Sequence, residues 1–165
     1  MTPMGGTIAR VLVDTNVWLD TYLPLREGHD AACQALADAV AHDVELVFAT
    51  SSAKDVFYLV ASCLKREARA QGEALSSGDA AAIHALAWAV VDNMCECATA
   101  IGADMPDVWL ARKYRTVHAD FEDDLVIVAA QRARADLIVT RDEQLIRHSP
   151  VACLTPGDLS RLLGA

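Results

Sequence analysis

Four aspartates sit where the pattern of the chain changes from one element to the next. Asp14 directly follows the apolar run Val11-Leu12-Val13, and Asp142 comes three residues after Leu137-Ile138-Val139. Asp55 is expected in the first turn of a helix that opens after a second apolar run, and Asp123 in the first turn of a helix over Phe121 to Arg134. In parallel α/β sheets, ligands collect beyond the carboxyl ends of the strands, so acids placed there can share one crevice. Carboxylates gathered in one place repel unless protons or cations share them. Hard divalent cations take oxygen ligands, and Mg²⁺ keeps waters in its shell, so Mg²⁺ or Mn²⁺ is the expected cofactor. The chemistry that suits such a site is phosphodiester hydrolysis by metal-activated water, with a second cation stabilising the leaving oxygen. That reaction needs no histidine base, and His29, His42, His84, His118 and His148 show no pairing at catalytic spacing.

Each acid also has an ordinary local role. Asp14 can end a strand and cap the next helix, and Asp142 can be a turn residue. Ser52-x-x-Asp55 and Asp120-x-x-Asp123 resemble capping boxes, although Glu or Gln is usual at the last position. An acid in a first helical turn is favourable by itself. Taken singly, capping is the commoner explanation for Asp55 and Asp123. The joint placement of four acids at one end of one sheet points to a metal site.

The elements that must position them follow from periodicity. Ile8 to Val13 reads as a buried strand, broken only by Arg10 and stopped by the turn or cap residues Asp14-Thr15-Asn16. His29 to His42 carries helical apolar spacing through Cys33, Leu36, Ala37 and Val40, and Val44 to Ala49 is a second strand. Thr50-Ser51-Ser52 supplies cap chemistry for a helix to about Ala70, with a stripe at Val56, Leu59, Val60, Cys63 and Leu64. A loop around the later part of Gln71 to Asp79 leads to a helix over Ala80 to Asn93, a third strand over Cys95 to Ile101, and a helix over Met105 to Tyr114. Periodicity leaves Leu125 to Val128 open between strand and helix; the flanking alanines and the length favour a buried helix. A strand over Asp136 to Val139, a short helix at Glu143 to Arg147, a small strand at Val151 to Leu154 and a last helix from Pro156 complete the chain. Alternating strands and helices predict a three-layer α/β/α sandwich with a mainly parallel sheet, formed by residues 8–165 as one domain after a short tail, residues 1–7.

The totals narrow the function classes. At 165 residues the chain suits one domain with a sizeable core. Its formal net charge of -9 argues against a broad surface that coats nucleic acid, but not against a small phosphodiester site where bound cations invert the local field. The five cysteines are odd in number and irregular in spacing, and Cys95-x-Cys97 has no partner pair at zinc spacing, so buried thiols in a reducing compartment are expected. The start of the sequence lacks the pattern of a signal peptide and no apolar run is long enough for a membrane span, so a soluble, cytoplasmic protein is expected.

The ordered motifs resemble those of the PIN-domain ribonucleases. Val11-Leu12-Val13-Asp14-Thr15-Asn16-Val17 is similar to their opening strand and D-T-N signature. Ala49 to Leu59 resembles the second motif of a subgroup with aspartate where many relatives have glutamate, here Asp55. Asp120-Phe121-Glu122-Asp123-Asp124-Leu125 is similar to the third motif, and Asp136 to Asp142 to the fourth, with Leu154-Thr155-Pro156 and a final helix following. The resemblance covers residues 8 to 163. It implies a Rossmann-like α/β/α fold, Mg²⁺- or Mn²⁺-dependent RNA cleavage and often the role of toxin in a toxin–antitoxin pair. It assigns Asp14, Asp55, Asp123 and Asp142 as the acidic quartet, with Thr15, Asn16 and Thr140 orienting carboxylates or waters. It also settles the Asp123 segment as helix. Two residues depart from the pattern: Asp124 replaces a small residue and Glu122 adds acid nearby. Either can assist metal binding, and solvent exposure is the expectation for both.

Arg112, Lys113 and Arg115, together with Arg141, could lead RNA phosphates to the acids, against the plain alternative of solvated helix faces; Lys65, Arg66, Arg69, Arg132 and Arg134 complete the basic set. Trp18, Trp88 and Trp109 are expected in the core or an interface, with Trp18 the best candidate for base stacking. An antitoxin protein and a second copy of the chain are the expected partners besides RNA. The competing reading is a PIN-like module with a weak site that acts through protein or RNA contacts. A phosphotransfer domain of the haloacid dehalogenase kind would need an aspartate at position 16, where this chain has Asn16.

Overall fold

The computed structural model of the chain describes residues 8–72, 74–116 and 119–164; the expected tail at 1–7 and His118 lie outside them. Five short strands form the sheet: β1 (Arg10–Val13), β2 (Glu45–Ala49), β3 (Thr99–Ile101), β4 (Leu137–Val139) and β5 (Cys153–Leu154). They pair in the order β3-β2-β1-β4-β5, all parallel. The central register sets Leu12 between Val47 and Ile138. Strands covered on both faces become continuous apolar runs, and β4 is buried at every position.

The helices α1 (Thr15–Tyr22), α2 (His29–Ala41), α3 (Thr50–Ala70), α4 (Ser77–Cys97), α5 (Met105–Tyr114), α6 (Phe121–Ala133), α7 (Glu143–His148) and α8 (Pro156–Leu163) divide between the faces. Val11, Val13, Phe48 and Val139 turn to one side, where α1, α2, α3 and α8 cover them. Leu12, Val47 and Ile138 turn to the other side, under α6 and Leu145 of α7. This is the expected three-layer α/β/α arrangement with an all-parallel sheet. A third, smaller cluster of Ala61, Ile83 and Ala87 joins α3 to α4 away from the sheet.

Several local expectations are corrected. The second helix buries Ala32, Ala35 and Ala39, while Val40 is exposed. Small side chains let this helix lie close to its neighbours, so packing rotated its inner face away from the larger residues. Cys95 and Cys97 belong to the end of α4 rather than to a strand, which begins only at Thr99. Both are exposed and the other three cysteines are half-buried, so none has the deeply buried thiol expected; all five are free. Trp18 is fully buried against Phe48 and Tyr22 and is no stacking platform, whereas Trp88 and Trp109 are 54% and 59% exposed and lie outside the core. Truncating a core tryptophan to alanine costs about 3–5 kcal/mol.

Candidate active site

The sheet order reverses between β1 and β4, and this is where an open α/β sheet leaves a crevice at the strands' carboxyl ends. Val13 is in register with Val139, and the Asp14 amide donates to the Val139 carbonyl. The two acids that follow these strands are thereby brought together. Asp14 is buried and is the N-cap of α1. Its Oδ1 accepts from the Thr15 amide at 2.7 Å, and its Oδ2 accepts from Asn16 Nδ2 at 2.7 Å and from Thr140 Oγ1 at 2.6 Å. Burial raises its pKa above the usual carboxylate range and the charge of Asp142 adds to the rise; the hydrogen bonds from Thr140, Thr15 and Asn16 oppose it.

Thr140 is the hinge of this half of the site. Fully buried, it donates to Asp14 while its oxygen accepts from the Asp142 amide at 3.0 Å. Asp142 Oδ1 accepts from the amides of Gln144 and Leu145, so this acid also caps α7. The local alternative to a metal site is a cap for Asp14 and a plain turn residue for Asp142. Both are caps, and both stand at the crevice.

The second pair comes from α3 and α6. Asp55 is the sixth residue of α3, in the second turn rather than the first. The chain enters the helix one turn earlier than Thr50-Ser51-Ser52 suggested, with Ala49 as an N-cap that makes no side-chain bond. Ser52 therefore does not cap; it is buried and accepts from Thr15 Oγ1 at 2.9 Å, which ties α3 to α1 beside Asp14. On α6, Asp120 is the N-cap, bonding the Glu122 amide at 2.8 Å. The Glu122 carboxyl turns in to hydrogen-bond with Asp55. Its pKa rises to about 7 because of burial first, then the Asp55 hydrogen bond and the charges of Asp55, Asp120 and Asp14. Asp123 stands half-buried in the first turn of α6, one position further on. Asp124 contradicts the expectation of solvent exposure, with 1% of its surface accessible: it is on the inward face of the helix.

The basic candidates divide. Arg112, Lys113 and Arg115 are exposed at the end of α5, where Arg112 lies 5.0 Å from the Trp109 ring centre. Arg141 is not a free phosphate ligand; its guanidinium is paired with buried Asp20. Arg132 is likewise engaged, by Asp104 and Asp107. Lys54 was not singled out from the sequence, yet it pairs with Asp55 at 3.0 Å and its pKa is raised by that carboxylate, with Glu122 adding to the effect. Its only sequence signal was adjacency to Asp55.

Whether this set suits a divalent cation can be judged from its donors. Among the described residues, no three His, Cys, Asp or Glu side chains stand ready to ligate one ion together. The acids come as two pairs, and in each pair one carboxyl is raised, by burial first and then by its acidic neighbour: Asp14 beside Asp142, and Glu122 bonded to Asp55. Mg²⁺ is held by one or two carboxylates plus waters, so paired oxygen donors fit it. A proton held between two carboxylates can be exchanged for a cation as pH rises.

Fold and site together define an α/β domain with an acidic crevice at the switch point of an all-parallel sheet. The PIN domain model matches residues 10–144, and the chain belongs to that family. Its fold is similar to that of a chain in the crystal structure of VapBC2 from Rickettsia felis bound to a DNA fragment from their promoter, with a TM-score of 0.62 and 12% identity over 88% of this chain and 98% of that one. No curated protein sequence matches. No helix among the described residues is long and apolar enough to cross a membrane.

Proposed function

We propose that this PIN domain is a metal-dependent endoribonuclease in which Asp14, Asp55, Asp123 and Asp142 hold Mg²⁺ or Mn²⁺. The observation that carries the reading is the convergence of Asp14 and Asp142 on Thr140 at the ends of neighbouring strands, with the Asp55–Glu122 pair close enough for Glu122 to feel the charge of Asp14. When bound, the cation supplies a water of lowered pKa and offsets charge on the leaving oxygen. The chain's own residues do the orienting. Thr15, Asn16 and Thr140 aim Asp14 with three hydrogen bonds, as partners of ligating carboxylates do at other metal sites. Glu122 supplements the quartet by sharing Asp55. Arg112, Lys113 and Arg115 are exposed cations that a phosphate backbone could reach.

The likeness in fold to a chain of VapBC2 supports a role as the toxin of a toxin–antitoxin pair, with an antitoxin protein as partner; the cytoplasm is the proposed place of action. A homodimer is consistent with exposed apolar side chains such as Trp88. A second reading, a domain of weak activity that works through contacts, is favoured by the net charge of -9 and by exposed Trp88 and Trp109. Incubation with a mixed RNA pool in Mn²⁺, Mg²⁺ or EDTA, wild type beside Asp14→Asn, decides between them. Metal-dependent cutting lost in the variant is the expected result; intact RNA with folded wild-type protein in either metal leaves the second reading.

A further inference from the structure

Asp20 lies six residues after Asp14 on α1, and its carboxylate is completely buried. Two arginines converge on it. Arg26 Nε donates to Oδ1 at 2.5 Å from the α1–α2 connection. Arg141 donates from Nη2 to Oδ1 at 3.1 Å and sets Nε 2.5 Å from Oδ2, a guanidinium grip on both oxygens in which Oδ2 makes an ion-pair contact and accepts no hydrogen bond among the described residues. The space for this grip is kept open by Gly28, where a Cβ would lie 2.1 Å from Asp20 Oδ2 and 2.9 Å from the Arg141 guanidinium carbon. An isolated buried carboxylate is expensive, and two cations offset that cost at Asp20.

Arg141 stands between Thr140, which binds Asp14, and Asp142, the second acid of the crevice. Its own amide donates to Asn16 Oδ1 at 3.0 Å. Asn16 and Asp20 are four residues apart on α1, on one helix face. Arg141 therefore fastens the loop after β4 to α1 at two points, by backbone at Asn16 and by side chain at Asp20, beside the bond that Asn16 Nδ2 donates to Thr140 Oγ1 at 3.1 Å. Arg26 holds the same carboxylate but belongs to a different loop.

We propose that Asp20 and Arg141 are positioning residues for the active site, an ion pair on a buried carboxylate that fixes Asp142 and Thr140 relative to Asp14 so that the two acids face one cation. The pair touches no substrate; it acts through the loop it anchors. This inference rests on the metal-site reading above only for what the positioning serves, and the anchoring can be tested without metal.

The experiment compares Arg141→Gln with Arg26→Gln, each removing one arm of the same buried carboxylate and leaving the other. Amide hydrogen exchange on the metal-free proteins reads the anchoring, and Mn²⁺ titration followed by calorimetry reads its consequence, with thermal melting to confirm folding. Arg141→Gln is expected to speed exchange in residues 140–145 about tenfold and to weaken Mn²⁺ binding about tenfold, the scale for losing a group that orients metal ligands. Arg141→Lys, which keeps the charge but not the two-point grip, is expected to recover little. Arg26→Gln is expected to change neither reading even where its melting temperature falls. Equal effects in both arginine variants, or none in Arg141→Gln, overturn the proposal. Wild-type protein that binds no Mn²⁺ counts against the metal-site reading alone, because the exchange comparison still decides the anchoring.

Discussion

The two acid pairs at the end of the sheet are held by different means. Asp14 and Asp142 are fixed by architecture: strand register places them, Thr140 bridges them, and each accepts hydrogen bonds from the start of a helix. Asp55 and Glu122 are held by each other and by the exposed side chain of Lys54. The first pair keeps its geometry whatever its charge, because neighbouring donors are bonded to it. The second depends on a hydrogen bond between two acids, and so on who occupies the space between them, proton or cation. A preorganised half and a responsive half make one site.

That contrast can be broken by substitution. Asp14→Asn should have the largest effect, reducing metal-dependent RNA cleavage by roughly 10²–10³-fold or more, on the scale for removing one preorganised electrostatic group. Initial rates at saturating Mn²⁺ measure it, and a loss below tenfold would remove Asp14 from the centre of the site. Thr140→Val keeps the shape of the buried side chain while deleting its bonds to Asp14 and Asp142; Mn²⁺ affinity should drop about 10–100-fold. Glu122→Gln keeps a hydrogen-bonding partner for Asp55 and should weaken Mn²⁺ binding by about tenfold or less. If Glu122→Gln proves more damaging than Thr140→Val, the assignment of a fixed and a responsive half is reversed.

The smallest effect sharpens the comparison through pH. Glu122 has a folded pKa of about 7 against an ordinary value of 4.5. Between those values the folded protein binds more protons at this group than the unfolded chain, so its contribution to stability falls as pH rises. Below about pH 4.5 the group is protonated in both states and the penalty disappears. Metal-free wild type should therefore lose melting temperature relative to Glu122→Gln as pH is raised from 4.5 to 7. The difference should amount to no more than a few degrees, because the side chain is partly exposed. Adding Mn²⁺ at pH 8 should raise the wild-type melting temperature more than at pH 5. A flat difference between the two proteins would mean that Glu122 and Asp55 do not share a proton.

Most of the fold was legible because apolar periodicity survives wherever an element is covered on a known side. Met105–Tyr114 was read to the residue, and β1, β4 and α6 within one or two. The misreadings share a cause. The α2 stripe was drawn through Val40 on hydrophobicity, but close packing selected Ala32, Ala35 and Ala39. Cys95 to Ile101 looked extended, yet α4 continues through Cys97, with Met94 beside it buried in the main core. Ser52 carried cap chemistry, but the helix had already begun and the hydroxyl found Thr15 instead.

The site was legible in the same partial way. Local sequence determined that Asp14 and Asp142 end strands, since a run of β-branched residues and the polar turn after it need no distant information. That Asp123 opens a helix came from the family resemblance, because periodicity left the segment open between strand and helix. Only tertiary structure decided that β1 and β4 are neighbours, that Glu122 reaches Asp55, that Asp124 is buried, and that Arg141 turns to Asp20 rather than to solvent. Strand ends and helix starts are set by forces acting over a few residues. The partner of a charged side chain is set by which distant group shares its desolvated space, and that is known only when the chain has closed on itself.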